Sequence, residues 1–170
     1  YVRGLGIENT FISASEKTMH DRIENQYLNR STPTATARLI ETFFENRLFA
    51  SKYKKFLIRI MTETSTGQDK LKGLLPPDCT VGHKTGSSDR TSTGVKIADN
   101  DAGFVLTPDG KRYYIAVFVS DSQEDDPTNA SIIARISAIV YDFMIRPTDP
   151  NRPTLCRPES VSADDAAGIP

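Results

Sequence analysis

Apolar residues recur at the spacing of a helix in two stretches before the middle of the chain. Thr32 and Pro33 suit the N-cap and the first turn of the first helix, and Ser51 is interpreted as the N-cap of the second. Both helices are predicted to be amphipathic. The residues expected on their buried sides are Ala37, Ile40, Phe44 and Leu48 in the first helix, and Phe56, Leu57, Ile60 and Met61 in the second.

The following apolar stretches are short and separated by turn residues, which is typical of strands. Three strands are predicted between residues 81 and 120, with a tight turn at Pro108–Lys111, so we expect an antiparallel meander. A last helix is predicted over 127–145, opened by Asp126 and Pro127. Its side chains expected to face the sheet are Ile132, Ile133, Ile136, Ile139, Val140 and Phe143.

Two segments lack this periodicity. Residues 10–31 are polar and weakly periodic, and an irregular segment of that length is more often a functional or mobile loop than a simple connection. Residues 146–170 are dominated by proline, aspartate and small residues, which predicts a disordered tail. Residues 1–145 are therefore expected to form one folded unit.

Composition narrows the function classes. The chain has 170 residues, 38% hydrophobic content and a net charge of −1, so it is one domain or part of a larger one and is not expected to bind nucleic acid. No apolar run approaches the roughly 20 residues of a membrane span. Cys79 and Cys156 lack metal-site spacing and no metal or organic cofactor is suggested, while a disulfide between them is the less favoured interpretation. The chain begins with Tyr1 rather than methionine, which suggests a mature form or a piece of a longer protein.

The candidate chemistry lies on the first predicted strand. Because alternate side chains of a strand share a face, Thr85 and Ser87 are expected on one side, with Lys84 and Gly86 on the other. A lysine beside hydroxyl groups suits a carboxylate ligand, and free amides at a strand edge can stabilise a developing oxyanion. The alternative is an exposed strand with ordinary polar residues, because short motifs often match by chance.

Several motifs in order resemble those of class A serine β-lactamases. They are Thr64-Ser65-Thr66-Gly67, Leu71-Lys72-Gly73-Leu74-Leu75-Pro76, His83-Lys84-Thr85-Gly86-Ser87 and Ala116-Val117-Phe118-Val119. The stretch from Ser15 to Asp21 is most similar to the PER-type extended-spectrum subgroup. The resemblance implies an α/β (α+β) sandwich with an antiparallel sheet flanked by helices, hydrolysis of a β-lactam through a serine acyl-enzyme, and export to the periplasm.

The resemblance also implies roles for the loop residues. Glu16 corresponds to the glutamate that activates the hydrolytic water, and His20 to the residue that shares this water. From the residues alone, a solvated loop acid and a surface histidine remain the alternatives. Asn29 and Ala14 stand where typical members pair an aspartate with an arginine, so that ionic pair cannot form here.

On the strand, the resemblance implies that Lys84 stabilises acyl transfer and, with Thr85, Gly86 and Ser87, binds the substrate carboxylate. Ser87 would also donate its backbone N–H to the oxyanion. Lys70 stands where the subgroup commonly has an arginine that supports this carboxylate, and lysine keeps the charge but loses the bidentate geometry. A plain surface lysine is the alternative.

The family nucleophile lies in a Ser-x-x-Lys motif, followed by Ser-Asp-Asn. Only Ser51-Lys52-Tyr53-Lys54 spells the first motif here, and we interpret Ser51 as a helix N-cap instead. The chain therefore resembles the C-terminal half of an enzyme, is expected to be inactive alone, and would need the N-terminal half of the same domain as its partner. A D-Ala-D-Ala peptidase and a non-catalytic domain remain alternatives, and Glu16 favours the hydrolase over the peptidase.

Overall fold

The computed structural model describes residues 1–45 and 48–145, so the predicted tail over 146–170, with Cys156, lies outside the described residues. Within that part, a 3-10 helix at Val2–Leu5 and another at Ile23–Leu28 accompany five strands and four α-helices. The strands are β1 (Thr10–Phe11), β2 (Arg30–Ser31), β3 (Thr80–Ser87), β4 (Lys96–Leu106) and β5 (Arg112–Ser122). The helices are α1 (Glu16–Asp21), α2 (Pro33–Glu45), α3 (Ser51–Thr62) and α4 (Asp126–Ile145).

Strands β3, β4 and β5 form an antiparallel sheet in that order, which confirms the predicted meander. The β4–β5 turn contains Gly110 at φ 83°, a conformation that favours glycine, and Gly110 N–H donates to Thr107 O at 2.9 Å. Strand β4 begins at residue 96, earlier than the apolar run at 102 suggested, because its polar first half pairs with the end of β3. This polar half of β4 therefore lies beside the candidate strand in the same sheet.

Each face of this sheet packs against a different helix. On one face the core includes Val81, Val105 and Ile115 of the sheet, Ile133 of α4 and Leu71 of the segment before β3. Complete burial of a side chain such as Ile133 stabilises the fold by roughly 1.5–3 kcal/mol. On the opposite face the Phe44 ring of α2 lies 4.5 Å from the Phe104 ring and 5.8 Å from the Tyr114 ring, centroid to centroid.

Two helix boundaries test the capping predictions. Thr32 caps α2 as predicted, since its Oγ1 accepts a hydrogen bond from Ala35 N–H at 3.1 Å. The prediction for Ser51 is wrong: Ala50 is the N-cap of α3, and Ser51 is the first helical residue and makes no capping bond. The extended backbone of Ala50 already places its carbonyl to accept from Tyr53 N–H at 2.9 Å.

The predicted buried faces of α3 and α4 are only partly correct. Phe56 and Ile60 of α3 are exposed, as are four of the predicted residues of α4: Ile132, Ile136, Ile139 and Phe143. Helix α4 buries one side only, whereas α3 has no fully buried residue. In α4 that side carries Asn129, Ala130, Ile133, Ala134 and Ser137.

Helix α4 is the one helix of the described residues that is long and apolar enough to cross a membrane by length and composition. Its 20 residues pack one side against the sheet, as the core helix of a globular fold does. This length and composition are therefore weak grounds for a membrane span.

Candidate active site

The register of β3 and β4 fixes which side chains share a face. Thr85 lies opposite Asp101 and Ser87 lies opposite Asp99, on the face covered by α4. Lys84 lies opposite Ala102, on the other face of the sheet. The expected alternation of Lys84 and Gly86 with Thr85 and Ser87 is therefore present.

Lys84 is exposed at the edge of the sheet. Its Nζ donates a hydrogen bond to the Thr85 carbonyl, and no carboxylate in the described part of the chain lies within ion-pair distance of it. The half-buried Thr85 has its Oγ1 3.1 Å from Oγ1 of Thr66, within hydrogen-bond distance. Lys84 and Thr85 lie on opposite faces, but β3 is an edge strand among the described residues, so both can reach an anionic ligand that lies along this edge.

Lys70 has a different environment from the one the sequence suggested. It is 9% exposed, and its Nζ bonds to the carboxylate of Asp99, which is 2% exposed. The alternative of a plain surface lysine is therefore wrong, because the ammonium is buried in an ion pair. A lysine held in this way is poorly placed to reach a ligand directly.

A second buried pair lies beside the first. His83 Nδ1 is 2.8 Å and 3.0 Å from the two carboxylate oxygens of Asp101, and Leu71 N–H donates to the same carboxylate at 3.2 Å. His83 and Asp101 are 1% and 0% exposed. Sequence reasoning missed both Asp99 and Asp101, although two acids two residues apart, and so on one face of a strand, are a recognisable signal.

Glu16 and His20 lie in one turn of the loop. Glu16 is the first residue of α1, whose N-cap Ser15 accepts a hydrogen bond from Thr18 N–H at 3.2 Å. His20 Nδ1 is 2.8 Å from the carbonyl oxygen of Glu16, so the ring lies over the turn that carries the Glu16 carboxylate. Both side chains are exposed.

The loop is closed by Asn29. Its Oδ1 accepts from the backbone N–H groups of Ser13 and Ala14, each at 2.9 Å, and its Nδ2 donates to Ala14 O at 2.9 Å and to Met19 Sδ at 3.3 Å. The strands β1 and β2 pair at the two ends of the loop. A neutral amide thus closes the loop in place of the ionic pair that this sequence lacks.

A cavity of about 540 Å³ separates this loop from the sheet. Tyr27 and Asn29 of the loop line it together with Asn100 and Phe118 of the sheet, which lie on the same face as Lys84. The Tyr27 hydroxyl donates to the Asp121 carboxylate at the end of β5, and this bond raises the pKa of Tyr27. The loop and the Lys84 side chain therefore belong to the same side of the sheet.

The Glu16 side chain and residues 84–87 of β3 are not in contact in this structure. Among the described residues the Glu16 carboxylate makes no hydrogen bond or ion pair to β3, and neither Glu16 nor residues 84–87 line any of five cavities of 180 to 540 Å³. Residues 1–45 and 48–145 also hold no group of three histidine, cysteine or acidic side chains suited to a metal ion. The predicted cluster of Glu16, Lys84 and Ser87 thus stays a prediction.

Comparisons with known proteins agree on one family. The model of the beta-lactamase enzyme family matches residues 1–144. A beta-lactamase of Bacteroides uniformis is 54% identical over 145 residues, and the extended-spectrum beta-lactamase PER-1 of Pseudomonas aeruginosa is 37% identical over 146. These matches cover 85% and 86% of this chain but 49% and 47% of those proteins.

The solved structures give the same result. The crystal structure of a class A beta-lactamase from Bacteroides cellulosilyticus is 58% identical, with a TM-score of 0.81, and the match covers 85% of this chain and 52% of that one. The chain therefore has the α/β fold of those enzymes over the part they share. It spans about half the length of the curated relatives it matches.

Proposed function

Since the chain belongs to the β-lactamase enzyme family, we propose that residues 1–145 form the carboxy-terminal half of a class A serine β-lactamase catalytic domain. The reaction is hydrolysis of the β-lactam amide of a penicillin or cephalosporin, which confers antibiotic resistance. An amino-terminal half of the same domain supplies the nucleophilic serine. By family resemblance, the working enzyme is exported to the periplasm.

The observation that carries this proposal is the environment of Lys84. Lys70 and Lys96 are buried and each is bonded to a carboxylate, Asp99 and Asp126 respectively. Lys84 is exposed and has no acidic partner in the described part of the chain. A β-lactam substrate carries a carboxylate, and the one ammonium on β3 is available to it. The Thr85 and Ser87 hydroxyls lie on the other face of this edge strand, and they are additional donors to a carboxylate bound along the edge itself.

In the acylation step, the serine oxygen of the amino-terminal half attacks the β-lactam carbonyl carbon. A serine C–O bond forms, the ring C–N bond breaks, and the ring nitrogen takes up a proton. Negative charge develops on the carbonyl oxygen, and the Ser87 backbone N–H supplies one hydrogen bond to it. The Lys84 charge favours the same transition state electrostatically.

In the deacylation step, water attacks the serine ester and Glu16 accepts its proton. The ester C–O bond breaks, and the serine oxygen leaves with a proton returned through Glu16. His20 is proposed to support this step by a hydrogen bond from its other ring nitrogen to the water; the contact of its Nδ1 with the Glu16 carbonyl, at 2.8 Å, supports this role.

Features of the described surface support an amino-terminal partner half. Ile132, Ile136 and Ile139 form an exposed apolar ridge on α4, and β3 and β5 are both edge strands among the described residues. Asn100 Oδ1, which lines the 540 Å³ cavity, is buried without a hydrogen-bond partner in residues 1–45 and 48–145. A further polypeptide segment packed on these surfaces would bury the ridge and satisfy the amide.

A chimera tests the activity. The amino-terminal half of the Bacteroides uniformis relative is fused to this chain, and hydrolysis of a chromogenic cephalosporin is measured for the chimera and for the 170 residues alone. We expect turnover by the chimera and none by the chain alone, because the nucleophile is encoded in the other half. Full activity of the 170 residues alone would contradict this assignment, and cleavage of a D-Ala-D-Ala peptide without cephalosporin hydrolysis would favour the peptidase.

The role of Glu16 is tested by Glu16→Gln in the same chimera. We expect deacylation to slow by about a hundredfold or more while acylation continues, since a positioned general base typically contributes a factor of that order. Mass spectrometry should then detect the drug covalently attached to the protein.

Glu24→Gln is the matched control, because Glu24 is another exposed acid of the same loop with no hydrogen bond to the described residues. It should leave turnover unchanged and trap no adduct. An unchanged rate in Glu16→Gln would remove Glu16 from the mechanism.

A further inference from the structure

The two buried carboxylates of β4 lie directly beside the proposed carboxylate-binding strand, in the same sheet. Asp99 is the register partner of Ser87, and Asp101 is the register partner of Thr85. Both carboxylates are at most 2% exposed. Neither can contact a ligand outside the sheet, so any influence on the site passes through the groups they hold.

Both carboxylates bind the turn that follows α3 and contains Lys70 and Leu71. Asp99 binds the Lys70 ammonium, and Asp101 accepts the Leu71 N–H at 3.2 Å. The same turn is held from the other side, because Ser137 Oγ of α4 donates to Leu71 O at 2.7 Å. The turn is therefore anchored to the sheet by two carboxylates and to α4 by one hydroxyl.

The anchored turn is in close contact with the Thr85 side chain. Gly67 has φ +64°, and a Cβ added there would overlap the Thr85 methyl group, so the backbone of the turn is in close contact with this side chain. The preceding residue, Thr66, has its Oγ1 3.1 Å from Thr85 Oγ1. Together these contacts fix the rotamer and the hydroxyl direction of Thr85.

We propose that Lys70, Asp99 and Thr66 are positioning residues for the carboxylate-binding hydroxyl of Thr85. Lys70 acts through Asp99 by fixing the turn, and Thr66 acts by orienting the Thr85 hydroxyl. This assignment rests on the proposed function, in which Thr85 receives the substrate carboxylate. It replaces direct support of that carboxylate by Lys70, whose charge Asp99 already neutralises.

The test uses a cephalosporin with a free carboxylate and its methyl ester, and the chimera as enzyme. The readout is the ratio of kcat/KM for the acid to kcat/KM for the ester. Lys70→Met leaves Asp99 buried without a partner and loosens the turn, so we expect this ratio to fall by about tenfold through KM. In Lys70→Met combined with Asp99→Leu, an apolar pair fills the same space, and the ratio should recover to within about threefold of the unaltered enzyme.

The combined variant separates the two roles of Lys70. If Lys70 touched the substrate, the ratio would stay low whether or not Asp99 is replaced, and that result would overturn the proposal. A ratio unchanged in Lys70→Met would overturn it as well. Turnover by the unaltered chimera is measured first, so its absence would contradict the proposed function itself and the role that depends on it.

Thr66→Val gives a second test that does not disturb the core, because Thr66 is exposed. We expect the acid-to-ester ratio to fall several-fold, about the effect of one neutral hydrogen bond, with kcat nearly unchanged. Ser65→Ala is the matched control, since Ser65 is an exposed hydroxyl of the same segment with no hydrogen bond to the described residues. A Thr66→Val ratio equal to that of Ser65→Ala would overturn the role of Thr66.

Discussion

The two parts of the proposed site, the β3 strand and the loop that carries Glu16, are held in place by different interactions. The β3 strand is supported by two buried polar pairs, Lys70 with Asp99 and His83 with Asp101, all at most 9% exposed. The loop that carries Glu16 is held by the neutral side chain of Asn29, and α1 within it has no buried residue. Buried charged networks are strong when complete and costly when broken, whereas exposed neutral bonds open locally.

This difference suggests that the strand and the loop of the site differ in how rigidly they are held. We expect the strand and its proposed carboxylate-binding groups to be positioned before a ligand arrives, because the buried Asp99 and Asp101 of the neighbouring strand each hold a partner. The loop depends on a few hydrogen bonds near its ends and on the bond from Tyr27 to Asp121. We therefore expect the strand to unfold only with the whole domain and the loop to open separately.

Removing one carboxylate from the buried network should have the largest effect. Asp101→Ala leaves His83 Nδ1 and Leu71 N–H without a partner in a site that is fully buried. We expect the free energy of unfolding to fall by about 3 kcal/mol, as measured by urea denaturation of the chimera.

Asp89→Ala is the control for this change, because Asp89 is an exposed aspartate in the link between β3 and β4. Its effect should lie within about 0.5 kcal/mol. If Asp101→Ala were equally mild, the buried pair would not support the strand.

Removing the loop closure should have a smaller and more local effect. Asn29→Ala loses the bonds to Ser13, Ala14 and Met19, so we expect local opening of the loop to become easier by about 1–2 kcal/mol. Hydrogen exchange should rise across residues 13–29 and change little in β3, β4 and β5.

Asn25→Ala is the matched control, since the Asn25 side chain makes one hydrogen bond within the described residues, from its Nδ2 to Thr18 O at 2.7 Å. It should raise exchange in the loop less than Asn29→Ala does. Equal exchange in the loop and the sheet of Asn29→Ala would show that the two regions unfold together.

The smallest expected effect comes from the hydrogen bond between Tyr27 of the loop and Asp121 of β5, and it depends on pH. The bond to Asp121 raises the pKa of Tyr27 above its unfolded value of about 10. The folded state therefore holds the Tyr27 proton more tightly, so the stabilisation is complete below pH 10 and is lost as pH rises through the raised pKa.

Tyr27→Phe should accordingly unfold at lower urea concentration than the unaltered chain at pH 8. The two midpoints should converge as pH rises above 10. A difference that persisted unchanged at high pH would show that the Tyr27 ring contributes by packing and that its hydroxyl bond contributes nothing.

Much of the fold followed from local patterns in the sequence. The cap at Thr32, the three-stranded meander and its Pro108–Lys111 turn depend on neighbouring residues, so periodicity and turn chemistry were enough to predict them. The exposed sides of α3 and α4 could not be predicted in this way. Periodicity shows that a helix has an apolar side, but the packing partner decides which apolar residues become buried.

The candidate site could likewise be predicted only in part from the sequence. The sequence by itself determined the alternation of Lys84 with Thr85 and Ser87, because a strand has a period of two whatever surrounds it. Only the tertiary structure decided that Lys70 lies buried against Asp99 and that Asn29 closes the loop. Those partners are separated by 15 residues or more along the chain, and the pairing of distant groups depends on register and packing that no local pattern encodes.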